Sequence, residues 1–137
     1  MRLAAGAIAL AAGLLAACSA PADDTQSAAV REVGVLAIEP RALATRLDSG
    51  EDIQLIDVRT PEEFAEGHIA GAINIPDDDF DPAALPDVGG AERMLYCRSD
   101  RRSGIAAKRL AEAENATVVH MKGGILAWEK AGLPVQR

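Results

Sequence analysis

The sequence predicts an α/β fold in which a parallel sheet is covered by helices on both faces. Three observations lead there. Short apolar runs alternate along the chain with segments of helical periodicity, the order of successive strand–helix units. One run, residues 53–58, is apolar almost throughout, which is the pattern of a strand buried on both sides. Another, Met94-Leu95-Tyr96, leads into an arginine-rich loop and then a helical stretch with Ala106, Leu110 and Ala113 on one face. A strand that turns sharply into a helix sets its loop at the carboxyl edge of such a sheet.

The chain has 137 residues, enough for one small domain, and only 3% of them are aromatic. A core of Leu, Ile, Val and Ala follows, anchored by Phe64, Phe80, Tyr96 and Trp128. The first residues stand apart from this domain. Arg2 precedes an uncharged Ala- and Leu-rich run, residues 3–17, which is shorter than the roughly 20 residues a bilayer span needs. It ends in Leu15-Ala16-Ala17-Cys18, which resembles the lipobox of bacterial lipoproteins. That resemblance implies that residues 1–17 are a cleaved signal peptide and that Cys18 becomes the lipid-bearing first residue. The protein would then sit in the cell envelope, held to a membrane through the lipid alone and facing the periplasm. Ser19, rather than Asp, at the next position fits the outer membrane where the source has two. Residues 18–32, polar and poor in bulky side chains, read as the lipidated Cys and a flexible tether, leaving residues 33–137 as the domain.

Within the domain the elements follow in order. Gly34-Val35-Leu36-Ala37-Ile38 reads as a first strand. Pro40 opens a helix with Leu43 and Leu47 on one face, stopped at Gly50. Residues 53–58 form the second strand. Thr60-Pro61-Glu62-Glu63 is a helix start: Thr60 caps, Pro61 takes the first position, and Glu63 completes a capping box. That role accounts for Glu62 and Glu63 without a catalytic carboxylate pair. Residues 68–76 read as a third short strand closed by Pro76, and the acidic run of residues 77–81 as a solvated loop. Residues 82–90 continue as irregular chain or a helical turn. Thr117-Val118-Val119-His120-Met121 is the last strand, and Gly123-Gly124 leads into a helix that turns Ile125 and Trp128 to the core.

The chemistry gathers in Cys97-Arg98-Ser99-Asp100-Arg101-Arg102-Ser103. Three arginines against one aspartate give this loop a local charge of +2 in a chain of formal net charge −7. Backbone N–H groups and a helix N-terminus converge there, so the loop suits an anion and favours a thiolate at its start. Other classes fit poorly. The acidic balance leaves no basic face for nucleic acid. Two histidines far apart, with no spare cysteine, make no metal-ligand set. Cys97 could also be no more than a buried structural thiol after a strand.

The spacing Cys-x4-Arg-Ser resembles the six-residue active loop of the rhodanese family, Cys-x-x-Gly-x-Arg-Ser, whereas phosphatase loops of the tyrosine phosphatase type need one more residue before the arginine. Further stretches resemble the same family: Asp57-Val58-Arg59 with Glu62-Glu63-Phe64, Gly67-His68-Ile69 with Gly71-Ala72-Ile73-Asn74-Ile75-Pro76, and Gly123-Gly124, Trp128 and Gly132-Leu133-Pro134-Val135. The resemblance implies a five-stranded, mainly parallel sheet and a sulfurtransferase that needs no cofactor. Cys97 would take the outer sulfur of thiosulfate or of a persulfide and pass it to a thiol or cyanide. Arg98 or Arg101 would attract the anionic donor, and Arg102 would instead brace the loop. Asp57, Arg59 and His68 would be scaffold. Two other classes are compatible with the chain: a non-enzymatic module presenting this fold to a partner, although no partner surface is legible, and a thiol redox sensor. Asp100 departs from the pattern by replacing Gly. If that position needs positive φ, Asp bears a strain of about 1–2 kcal/mol, and its carboxylate opposes an incoming anion.

The lipobox reading has a direct test. The protein should label with palmitate and partition into detergent, and Cys18→Ser should lose both; a mature N-terminus at any residue other than Cys18 would refute it.

Overall fold

The computed structural model describes residues 33–137. The expected signal peptide of residues 1–17, Cys18 and the tether to residue 32 lie outside the described residues. Among the described residues no helix is long and apolar enough to cross a membrane. The elements are β1 (Gly34–Ile38), α1 (Pro40–Asp48), β2 (Ile53–Asp57), α2 (Pro61–Glu66), β3 (Ile73–Asn74), β4 (Glu92–Tyr96), α3 (Arg101–Glu114), β5 (Thr117–Met121) and α4 (Gly124–Lys130). The strands form one sheet in the order β1-β5-β4-β2-β3, and every pairing is parallel. The strand that delivers Cys97, β4, lies in the middle of the sheet.

Strand alternation splits the core into two layers. Ile56, Val58, Leu95, Cys97 and Val118 point to one face, where Ala106, Ala107, Leu110 and Ala111 of α3 pack with Phe80. Leu55, Met94, Tyr96 and Met121 point to the other, against Leu43 of α1 and Ile125 and Trp128 of α4. The helix stripe on α3 is therefore 103/106/107/110/111, and Ala113, expected on it, is exposed. Asn115 ends α3 in the left-handed conformation (φ 49°), a position that Asn tolerates better than most residues.

Two expected elements come out differently. The strand expected over residues 68–76 shrinks to Ile73–Asn74. The reason lies upstream, where His68 pairs in both directions with Gln136 (2.9 and 2.8 Å) and Ala72 N–H turns back to the Ile69 carbonyl. Those backbone groups are thus spent before the sheet can use them. The acidic run is not a plain loop: Asp77–Asp79 form a 3-10 turn that lowers Phe80 into the core, and Arg109 of α3 donates to the Phe80 carbonyl. Phe64, expected as a core anchor, is only half-buried and stacks on His68 at 3.8 Å.

At the end of β2, Asp57 and Arg59 form a buried ion pair (2.6 Å), and Arg59 also donates to the Gly67 carbonyl (2.8 Å). Asn74 donates from its amide to the carbonyls of Asp57 and Arg59. Burial alone would oppose the charge on Arg59, but Asp57 beside it more than compensates and raises its pKa. The pair ties the end of β2 to the C-terminal end of α2 through Gly67.

Candidate active site

Helix α2 starts as its sequence requires. Thr60 accepts from the Glu63 N–H, and Glu63 reaches back to the Thr60 N–H (3.1 Å). The same carboxylate has a second function that helix initiation had concealed. Both oxygens of Glu63 accept from Arg102 of the loop, at 2.7 and 2.9 Å. This bidentate pair ties the first turn of α3 to the first turn of α2, so Arg102 braces the loop. Arg102 holds Glu63 well below the ordinary carboxylate range, at about 2, with the Thr60 N–H contributing and burial opposing.

The loop itself is shaped from the α4 side. Ile125 N–H donates to the Cys97 carbonyl (2.9 Å) and Leu126 N–H to the Arg98 carbonyl (3.2 Å). Gly124 makes this approach possible. It sits at φ 58°, and a Cβ there would lie 2.4 Å from both the Cys97 oxygen and the Arg98 carbonyl carbon. On the other side, the Asp100 carbonyl accepts from Gly104 N–H (2.9 Å) and from the Ser103 hydroxyl (3.2 Å). None of these peptides is cis. In a trans peptide the N–H points opposite to the C=O. Turning the carbonyls of residues 97, 98 and 100 onto these donors therefore turns the N–H groups of Arg98, Ser99 and Arg101 away from them. The N–H groups of residues 98–103 make no hydrogen bond to an acceptor among the described residues. Cys97, 1% exposed, stands at the start of this set of donors.

The side chains divide by role. Arg98, Ser99 and Arg101 are exposed, and Arg98 and Arg101 have no ion pair among the described residues, so both cations are available to a ligand. Ser103 is fully buried. Asp100 does not adopt positive φ; it precedes α3 at φ −152° and ψ −38°, so the strain expected of a left-handed residue is absent. Its carboxylate is engaged: Oδ1 accepts from Gly123 N–H at 2.9 Å and links the loop to the turn before α4. His68 has a structural role, with Nδ1–H donating to the Phe64 carbonyl (3.0 Å).

The residue that sequence reasoning missed is His120. Its Nδ1 lies 3.1 Å from the Ser103 hydroxyl oxygen. Ser103 has one proton, and that proton goes to the Asp100 carbonyl, so His120 Nδ1–H is the donor of this pair. Burial lowers the His120 pKa, and the charge of Asp100 partly offsets this. The alternation of β5 held the clue: Val118 faces α3, so His120 faces it too, beside the helix start where the loop ends.

Comparison with known proteins agrees with this geometry. The family model described as "Rhodanese-like domain" matches residues 39–131. A protein named "Sulfurtransferase" from Allochromatium vinosum is 35% identical over 99 residues, covering 72% of this chain and 92% of that protein. An uncharacterized Synechocystis protein is 40% identical over 97 residues, covering 71% of this chain; the chain spans about half (54%) of that relative's length. Among solved structures, a rhodanese-related protein from Thermoplasma volcanium superposes with a TM-score of 0.64 at 27% identity, covering 73% of this chain and 96% of that one.

The Glu63–Arg102 link should respond to pH in a defined direction. Glu63 is depressed when folded, so its contribution is complete above the ordinary glutamate value near 4.5 and fades as pH falls toward about 2. Urea unfolding of the wild type and Glu63→Gln should show a clear stability gap at pH 7 that has largely closed at about pH 2; a gap independent of pH would mean the ion pair is not its source. The loop, its brace from α2, its clamp from α4 and the match over residues 39–131 lead to one conclusion: the chain belongs to the rhodanese-like domain family.

Proposed function

We propose that the protein is a sulfurtransferase that carries sulfane sulfur as a persulfide on Cys97. The observation that carries this reading is the orientation of the loop peptides. Their N–H groups, unpaired within the described residues and turned away from the carbonyl acceptors, are left free for negative charge at Cys97. The Cys97 thiolate attacks the outer sulfur of the donor, thiosulfate or a persulfide. The donor's S–S bond breaks, sulfite or a thiolate leaves with the electron pair, and Cys97 holds the sulfur as a persulfide anion. An acceptor thiolate or cyanide then attacks that outer sulfur, leaves with it, and regenerates the Cys97 thiolate. No net oxidation occurs, and the two half-reactions alternate. The unpaired cations Arg98 and Arg101 favour approach of an anionic donor. The sulfurtransferase among the relatives, matched over nearly its full length, is consistent with this chemistry.

Asp100 bears on donor choice. Without backbone strain, its remaining effect is charge: a carboxylate in the loop opposes the dianion thiosulfate more than it opposes a monoanionic persulfide. We therefore take a persulfide as the preferred donor.

Two measurements test these statements. Cys97→Ser should abolish sulfur transfer while leaving the circular dichroism spectrum unchanged. Wild-type protein treated with donor should gain the mass of one sulfur atom on Cys97, removable by cyanide, and turnover retained by the serine variant would eliminate the mechanism. Asp100→Asn keeps an acceptor for the Gly123 N–H but removes the charge. It should raise kcat/KM for thiosulfate more than for a monoanionic persulfide, and equal changes for the two would show that Asp100 does not set donor choice.

A further inference from the structure

Beside the loop, between α2 and α4, lies a cleft of about 370 Å³. We propose that this cleft is the acceptor subsite and that it takes a small zwitterionic aminothiol, a thiol whose carbon skeleton bears both an ammonium and a carboxylate. The proposal rests on the Cys97 persulfide reading and adds to it the chemical class of the acceptor.

Charge on the walls is the first argument. Arg59 and Glu63 line the cleft but are committed to Asp57 and Arg102. The other charged walls are Arg98 and Arg137, which are cations, and Glu66 and Glu129, which are carboxylates. None of these four has an ion pair among the described residues. The loop, with its local excess of arginine, suits an anion; the cleft, with two charges of each sign, complements a ligand that carries both.

Position is the second argument. Ile125 and Leu126, on the cleft wall, are the residues whose N–H groups hold the carbonyls of Cys97 and Arg98, so the wall is bonded directly to the residue bearing the nucleophile. Glu129 follows Leu126 by three residues on α4, one turn farther from the loop, and lines the same cleft. An acceptor with its thiol toward the loop would direct its ammonium to Glu129. Leu126 is 48% exposed and offers apolar surface to the methylene groups between them. Arg137 reaches the cleft because Gln136 is paired in both directions with His68, beside Gly67 of the opposite wall. The transfer is balanced: the acceptor thiolate forms a bond to the outer sulfur of the persulfide, the bond to Cys97 breaks, and Cys97 takes back the electron pair.

The test uses protein preloaded with persulfide on Cys97 and four small thiols: cysteine, cysteamine, 3-mercaptopropionate and 2-mercaptoethanol. Discharge is followed by mass spectrometry. In the doubly substituted variant Glu66→Gln, Glu129→Gln, the rates with cysteine and cysteamine should fall about tenfold relative to that with 2-mercaptoethanol. The rate with 3-mercaptopropionate, which has no ammonium, should not fall. In Arg137→Gln the pattern should cross over, with cysteine and 3-mercaptopropionate slowed and cysteamine spared. Because every comparison is made between thiols within one variant, a general loss of activity cannot imitate the result. Discharge changed by the same factor for all four thiols, or not changed at all, overturns the subsite while leaving the persulfide chemistry intact. Failure of the wild type to form the adduct overturns the sulfurtransferase reading, and the subsite falls with it.

Discussion

The site depends on a constraint of peptide geometry. A trans peptide cannot turn its C=O one way without sending its N–H the other. In this protein the start of α4 takes the carbonyls of Cys97 and Arg98, and the start of α3 takes that of Asp100. The donors of the loop are oriented as a consequence, with no hydrogen bond of their own among the described residues to hold them. Gly124 is the residue on which this rests, because a side chain there would occupy the space of the Cys97 carbonyl. The parallel sheet supplies the rest. Adjacent strands β4 and β5 end at the same edge, so the loop after one and the helix after the other meet.

Charge reinforces the geometry from the opposite side. Glu63 satisfies an N–H at the start of its own helix and grips Arg102 of another. The buried Asp57–Arg59 pair, with its reach to Gly67, holds the C-terminal end of the helix on which Glu63 sits. Replacing a buried pair of this kind by apolar groups is often neutral or stabilising. Its value here is therefore positional: it determines where α2 lies, and α2 determines where the loop is braced.

Much of this was legible in the sequence because local signals and the global fold agree. The capping box, the apolar second strand, the glycine pair leading into α4 and the strand–loop–helix around Cys97 each state locally what the fold requires. What remained hidden depended on pairs distant in the chain. Glu63 was fully explained as a cap, so nothing in the local pattern pointed to Arg102, 39 residues on. The third strand was overextended because its first residues pair with the far end of the domain at Gln136. Asp100 was read through its replacement of glycine, but its φ is negative and the carboxylate serves Gly123 instead. His120 was passed over because an isolated histidine on a strand has no meaning until the facing helix is known.

The burial of Cys97 has a consequence for the molecule in an oxidising setting. A disulfide requires its two Cα atoms to lie within about 7 Å of each other. Cys97, 1% exposed, lies beneath residues 98–103 and against the start of α4. Two folded copies cannot bring these residues that close without displacing one loop or the other. The thiol is thereby shielded from covalent dimerisation through Cys97, a protection that comes from shape and needs no reducing environment.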